Sequence, residues 1–138
     1  MQIYTIGYGG RHPKDLLDLL QDRGIERIID VRLRPDRASM GVYAKARAVD
    51  KGIQRLLAER GMAYASMTEL GNIFFGCDDW GERYRRLLER AGDILLERLY
   101  AVPTPFCLLC AEREVTLCHR QLIAEQLAHR GYRIEHLL

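Results

Sequence analysis

Two thiols, a carboxylate and an imidazole lie within ten residues of one another in this 138-residue chain: Cys110, Glu112, Cys118 and His119. Cys107 precedes them and Arg120 follows. These residue types admit two kinds of chemistry. In one, a thiolate of Cys110 or Cys118 is a nucleophile activated by His119 or by a helix start, while Glu112 moves protons. In the other, Cys107, Cys110, Cys118 and His119 ligate zinc with the spacing C-x2-C-x7-C-H. The spacing speaks against a metal. Cys107 and Cys110, three apart on a strand, point to opposite faces, and adjacent Cys118 and His119 diverge by about 100° on a helix. A phosphatase or rhodanese loop would carry arginine six positions beyond its leading cysteine, and Thr116 stands there after Cys110. The sequence names no cofactor. Buried thiols beside a helix-start histidine are also what an inert core contains, because free cysteine is commonly a core residue.

Three further groups suit an anion. Gly7-Tyr8-Gly9-Gly10-Arg11 lets backbone approach a ligand, with a helix start beyond it, although a tight turn needing positive φ accounts for the same glycines. Arg32 and Arg34 share one face after a strand end, and each offers paired donors suited to phosphate or carboxylate. Arg32 has an internal alternative in Asp30 or Glu112. Arg120 falls in the first turn of the helix after Cys118, where backbone N–H groups lack partners and the dipole is positive. Gly9, Arg11, Arg32, Arg34 and Arg120 are therefore the candidate substrate-binding residues. Glu112 and Glu114 with Arg113 and Arg120 form, on the plainer reading, an ion-pair network bracing the turn. Ile73-Phe74-Phe75 with Trp80 serves as a base-stacking lid or as core or subunit contact. His12, His129 and His136 have no partner visible in the sequence.

The elements that must position these residues alternate. Strands are expected at Gln2 to Ile6, Arg27 to Val31, Met62 to Ser66, Phe106 to Cys110 and Tyr132 to Leu137. Helices are expected from Pro13 to near Gly24, through Ile53 and Leu57, from Trp80 to Tyr100, and from about Leu117 to Arg130. Such alternation predicts one α/β domain over 1–138, a three-layer fold with a mainly parallel sheet of about five strands and helices on both faces. In such sheets the ligand lies outside the carboxyl ends of the strands, which gathers the loop after Ile6, Arg32 with Arg34, Thr68 to Asn72, and Cys110 to Thr116 on one edge.

Hydrophobic residues make up 48% of the chain and charged residues 29%, as in a folded globular protein. Neither a signal-peptide pattern nor a membrane-length apolar run is visible, so a cytoplasmic location without membrane contact is expected. Four cysteines clustered this way do not make a disulfide framework. The net charge of +2 is too small to indicate nucleic acid, but Arg32 to Arg60 holds eight basic residues against three acidic ones.

The ordered set Tyr4-Thr5-Ile6-Gly7-Tyr8, Gly24-Ile25, Asp30-Val31-Arg32 with Pro35, Gly61 with Tyr64, Leu70-Gly71, Leu109-Cys110-Ala111-Glu112 and Cys118-His119-Arg120 with Ala124-Glu125 resembles domain-of-unknown-function family 488. It departs from the family at Tyr8, where histidine is usual, and at Asn72-Ile73, where a further glycine and a basic residue are usual. The resemblance implies an α/β domain in which Arg32, Cys110, Glu112, Cys118, His119 and Arg120 are family features, and it supplies no reaction. The expectation from the residues is a small enzyme acting on a phosphate-bearing substrate, a nucleotide or nucleic acid. The alternative is a non-catalytic nucleic-acid-binding module using Arg32 to Arg60.

Overall fold

Strands β1 (Gln2–Gly7), β2 (Arg27–Asp30), β3 (Ala63–Ser66), β4 (Phe106–Cys110) and β5 (Arg133–His136) form one all-parallel sheet in the order β3-β2-β4-β1-β5. These elements belong to a computed structural model that describes residues 1–138. The helices are α1 (Pro13–Asp22), α2 (Gly52–Ala58), α3 (Trp80–Leu95), α4 (Glu97–Tyr100) and α5 (Arg120–His129). β4 is central, and all five of its residues are buried, which is why FCLLC reads as an unbroken apolar run rather than an alternation.

Alternation along the strands divides the core into two layers. Phe106, Leu108 and Cys110 pack with Ile3 and Ile29 beneath α3, α4 and α5, through Tyr84, Leu88, Leu99, Ile123 and Leu127. Cys107 and Leu109 pack with Ile6 and Ile28 on the other face, against Leu16, Leu17 and Leu20 of α1 and Ile53, Leu56 and Leu57 of α2. The three-layer α/β expectation holds. Burial pushes the Cys107 thiol far up, so it is inert in its own layer.

Local chemistry sets the ends of the elements. Pro13 opens α1 and His12 caps it, the imidazole Nδ1 accepting from the Lys14 N–H at 3.2 Å. His136 also has a partner: the Thr5 hydroxyl lies 2.6 Å from its Nδ1.

Two helices differ from expectation. The stretch 80–100 is broken at Leu96, and both Leu96 and Leu99 are buried in the core. The helix expected from Leu117 begins at Arg120, after a 3-10 turn at Val115–Leu117. Cys118 between them is extended (φ −130°, ψ 139°), and its sulfur accepts the Arg120 N–H at 3.5 Å, while His119 is the N-cap, so the helix starts about one turn later than periodicity suggested. No helix is long and apolar enough to cross a membrane.

Candidate active site at the carboxyl edge of the sheet

The strand order reverses direction once. The chain leaves β1 and β2 toward one end of the sheet through α1 and α2, and leaves β3 and β4 toward the other through α3 and α5. With right-handed crossovers the loops after neighbouring strands part to opposite faces, opening a crevice at the carboxyl ends of β1, β4 and β2. A cavity of about 510 Å³ lies there, the size of a small-molecule site. Tyr8 lines it from the loop after β1, Arg32, Arg34 and Arg37 after β2, Phe75 ahead of α3 and Trp80 at its first position, Cys110 at the end of β4, and Glu112, Cys118 and His119 beyond it.

Cys110 ends β4, and Cys118 and His119 precede α5, so the loop 111–117 folds back to bring them together. The two sulfurs and a ring nitrogen lie within 4.8 Å of one another, in residues only 6%, 3% and 5% exposed. His119 Nε2 sits 2.8 Å from the Val31 carbonyl oxygen. A carbonyl can only accept, so this nitrogen carries the proton and Nδ1 presents its lone pair to the Cys118 sulfur, 3.7 Å away. Tyr84 packs edge-on against the imidazole at 5.3 Å. The Cys118 thiol is pulled down to about 7, first by the neighbouring Cys110 side chain, against burial, and further by the Arg120 N–H. Cys110 is pushed well up by the Cys118 side chain beside it and by burial. The expectation that Cys118 and His119 diverge fails because neither lies inside the helix. The divergence of Cys107 and Cys110 is as expected, one in each core layer.

Arg32 is 6% exposed and is held by the fully buried Asp30, Nε and NH2 reaching the two carboxylate oxygens at 2.9 and 2.7 Å. NH1 donates to the Tyr8 hydroxyl at 3.1 Å, and Tyr64 donates to Asp30 at 2.5 Å. Burial alone would lower the Arg32 guanidinium, but the bonds and charge of Asp30 outweigh it and keep the side chain cationic. Its internal partner is Asp30 rather than Glu112. Arg32 thus borders the cavity with its charge already balanced. Arg34 and Arg37 border it exposed, and neither makes an ion pair.

Three candidate substrate-binding residues are placed elsewhere. Arg11 is buried away from the cavity, its Nε donating to the Gly7 carbonyl at 2.7 Å and NH2 to that of Leu137 at 3.4 Å. Arg120, 1% exposed, donates to the carbonyls of Glu112 and Arg113 and to the Thr5 hydroxyl. It braces the turn through main-chain oxygens, in place of the expected network with Glu112 and Glu114. Gly9 donates its N–H to the Ala111 carbonyl at 2.9 Å, and a Cβ there would come 2.7 Å from that oxygen. At Gly7 a Cβ would meet the Glu112 carbonyl at 1.8 Å. These glycines admit the neighbouring β4 loop, not a ligand, while Gly10 supplies the positive φ of the turn (68°).

Sequence reasoning missed Arg37 and the role of Tyr8. The signal for Arg37 was its place three residues after Arg34, a turn closed by the Arg37 N–H to Arg34 carbonyl bond at 3.1 Å. Of the apolar run, Phe74 packs on the core while Phe75, 81% exposed, borders the cavity beside Trp80.

A sequence model of the family described as "Domain of unknown function DUF488" matches residues 12–127. The chain belongs to this family. The range matched to DUF488 contains Arg32, Arg34, Cys110, Glu112, Cys118 and His119, while β1 and its glycine loop precede it. No curated protein and no solved structure matches the chain.

Proposed function

We propose that the protein is an enzyme acting on a phosphate-bearing substrate, a nucleotide or nucleic acid, in the cavity at the carboxyl edge of the sheet. The observation that carries this reading is that the unpartnered guanidinium groups of Arg34 and Arg37 share one cavity with the sulfur and imidazole cluster and with Glu112. Arg34 and Arg37 take the phosphate, since planar paired donors suit its oxygens. Arg32, tied to Asp30, shapes the wall and adds little net charge. Phe75 and Trp80 offer ring faces to a base. Cys110, Cys118 and His119 stand at the reacting end, with Glu112 as the carboxylate that moves protons.

Trp80 is the only tryptophan in the chain and borders the cavity, so its fluorescence reports occupancy directly. Nucleoside monophosphates and short single-stranded oligonucleotides are expected to change it saturably. Arg34→Ala and Arg37→Ala should each weaken binding roughly tenfold, the size of a hydrogen bond to a charged group at an exposed site. Unchanged affinity in the double variant would remove Arg34 and Arg37 as the phosphate site. The non-catalytic alternative draws on Arg47, Lys51 and Arg55, which are exposed and make no ion pair. It predicts binding that Arg47→Ala and Lys51→Ala weaken while Trp80 is undisturbed.

A further inference from the structure

We infer that Cys110 Sγ, Cys118 Sγ and His119 Nδ1 form a zinc site whose fourth position opens into the cavity. A nucleophilic thiolate needs one sulfur and one base. Here three electron-pair donors from residues at least nine-tenths buried converge within 4.8 Å. Tetrahedral zinc, with Zn–S of about 2.3 Å and Zn–N of about 2.0 Å, sets S···N near 3.5 Å and S···S near 3.8 Å. The Cys118 to His119 spacing of 3.7 Å fits that frame.

The surroundings hold the ligands from behind as metal sites require. The Val31 carbonyl takes the Nε2 proton and leaves Nδ1 free to bind, and the Arg120 N–H meets the Cys118 sulfur. Two thiolates, a neutral imidazole and a divalent ion sum to zero charge, which suits a buried position where free thiolates would be costly. Thiolate and imidazole ligands select zinc over magnesium or calcium. Three protein ligands with an open position make a reactive site rather than a closed structural one. Water would take that position, with Glu112 on the same cavity wall to accept its proton. The inference goes beyond the phosphate reading, and its test is separate.

The test is metal stoichiometry on the full chain, stripped with chelator and reloaded with zinc or with cobalt(II). One equivalent per chain is expected, with the thiolate-to-cobalt absorption and strong visible bands of a four-coordinate sulfur site. Zinc should shield Cys110 and Cys118 from alkylation in the unmutated chain, a readout that needs no variant to fold. Cys110→Ser, Cys118→Ser and His119→Ala should lose more affinity than the roughly 10–100-fold typical of removing a ligand's hydrogen-bond partner. Cys77→Ser and Glu112→Gln should still bind one equivalent. Substoichiometric cobalt without a sulfur band, or equal alkylation with and without zinc, overturns the site. Zinc binding that survives in Arg34→Ala and Arg37→Ala separates it from the phosphate reading.

Discussion

At the scale of single residues, the pair Asp30 and Arg32 is the most exacting arrangement in the site. Asp30 is wholly buried and spends both oxygens on Arg32 and Tyr64. Asp30→Asn leaves a guanidinium buried without its counter-charge, and breaking such a pair costs about 3–5 kcal/mol. Urea denaturation should register that loss, whereas Arg34→Ala, at an exposed position, should change stability by less than about 0.5 kcal/mol. A mild Asp30→Asn phenotype would mean that Arg32 finds water instead. The chemistry-bearing types at 110, 112, 118 and 119 were legible in the sequence, because their spacing after an apolar strand admits few other arrangements. Which arginines face the cavity was not. Arg11, Arg32, Arg34 and Arg120 look alike in a sequence, and what separates them is the carbonyl or carboxylate each one meets across the fold.

Elements set the cavity's shape through contacts between loops. The β1 loop lies so close to the β4 loop that the hydrogen of Gly7 is the largest substituent that fits. Gly7→Ala should cost at least about 3 kcal/mol, at the upper end of overpacking, because the obstacle is backbone and cannot rotate away. Gly76→Ala, with nothing within 4 Å of the added carbon, is the control. Far-UV circular dichroism during thermal unfolding distinguishes the two. β5 carries a titration. Thr5 accepts from Arg120 Nε, and its hydroxyl, 2.6 Å from His136 Nδ1, is placed to donate to that nitrogen when the ring is unprotonated. Burial, and then the Arg120 charge, hold the His136 pKa below its ordinary 6.5. The unfolded chain therefore binds the proton first as pH falls. Stability from this contact is complete above pH 6.5 and is lost as pH drops through the lower native value. His136→Asn keeps an acceptor for Thr5 and should flatten the stability profile on the acid side of pH 6.5; an unchanged profile would assign the acid loss to other groups. Strand and helix order could be read from periodicity because each helix buries one stripe. The delayed start of α5 could not, since Cys118 stays extended ahead of the N-cap His119 and no Ser, Thr or Asp marks the start.

The whole molecule places the cavity through topology. Sequence order gives β1 to β5, but only the spatial order β3-β2-β4-β1-β5 shows where loops part and which of them face one another. A rule about carboxyl edges brought the cavity-lining loops together without saying that the glycine loop would be filled by its neighbour. Of the basic residues in 32–60, Arg34 and Arg37 border the cavity, and Arg47, Lys51 and Arg55 are exposed as they are. Affinity for a polynucleotide should therefore fall with salt, and removing Arg34 and Arg37 together should reduce the slope of log K against log salt by about two. A slope that stays the same would put the phosphates elsewhere on the surface. The most direct measurement of the central claim is a crystal structure of the chain with a bound nucleoside monophosphate. The account predicts the phosphate within hydrogen-bond distance of Arg34 and Arg37, and the base against Phe75 or Trp80. A phosphate seated on the loop of Gly9 and Arg11, or a nucleotide bound away from the cavity, would contradict it.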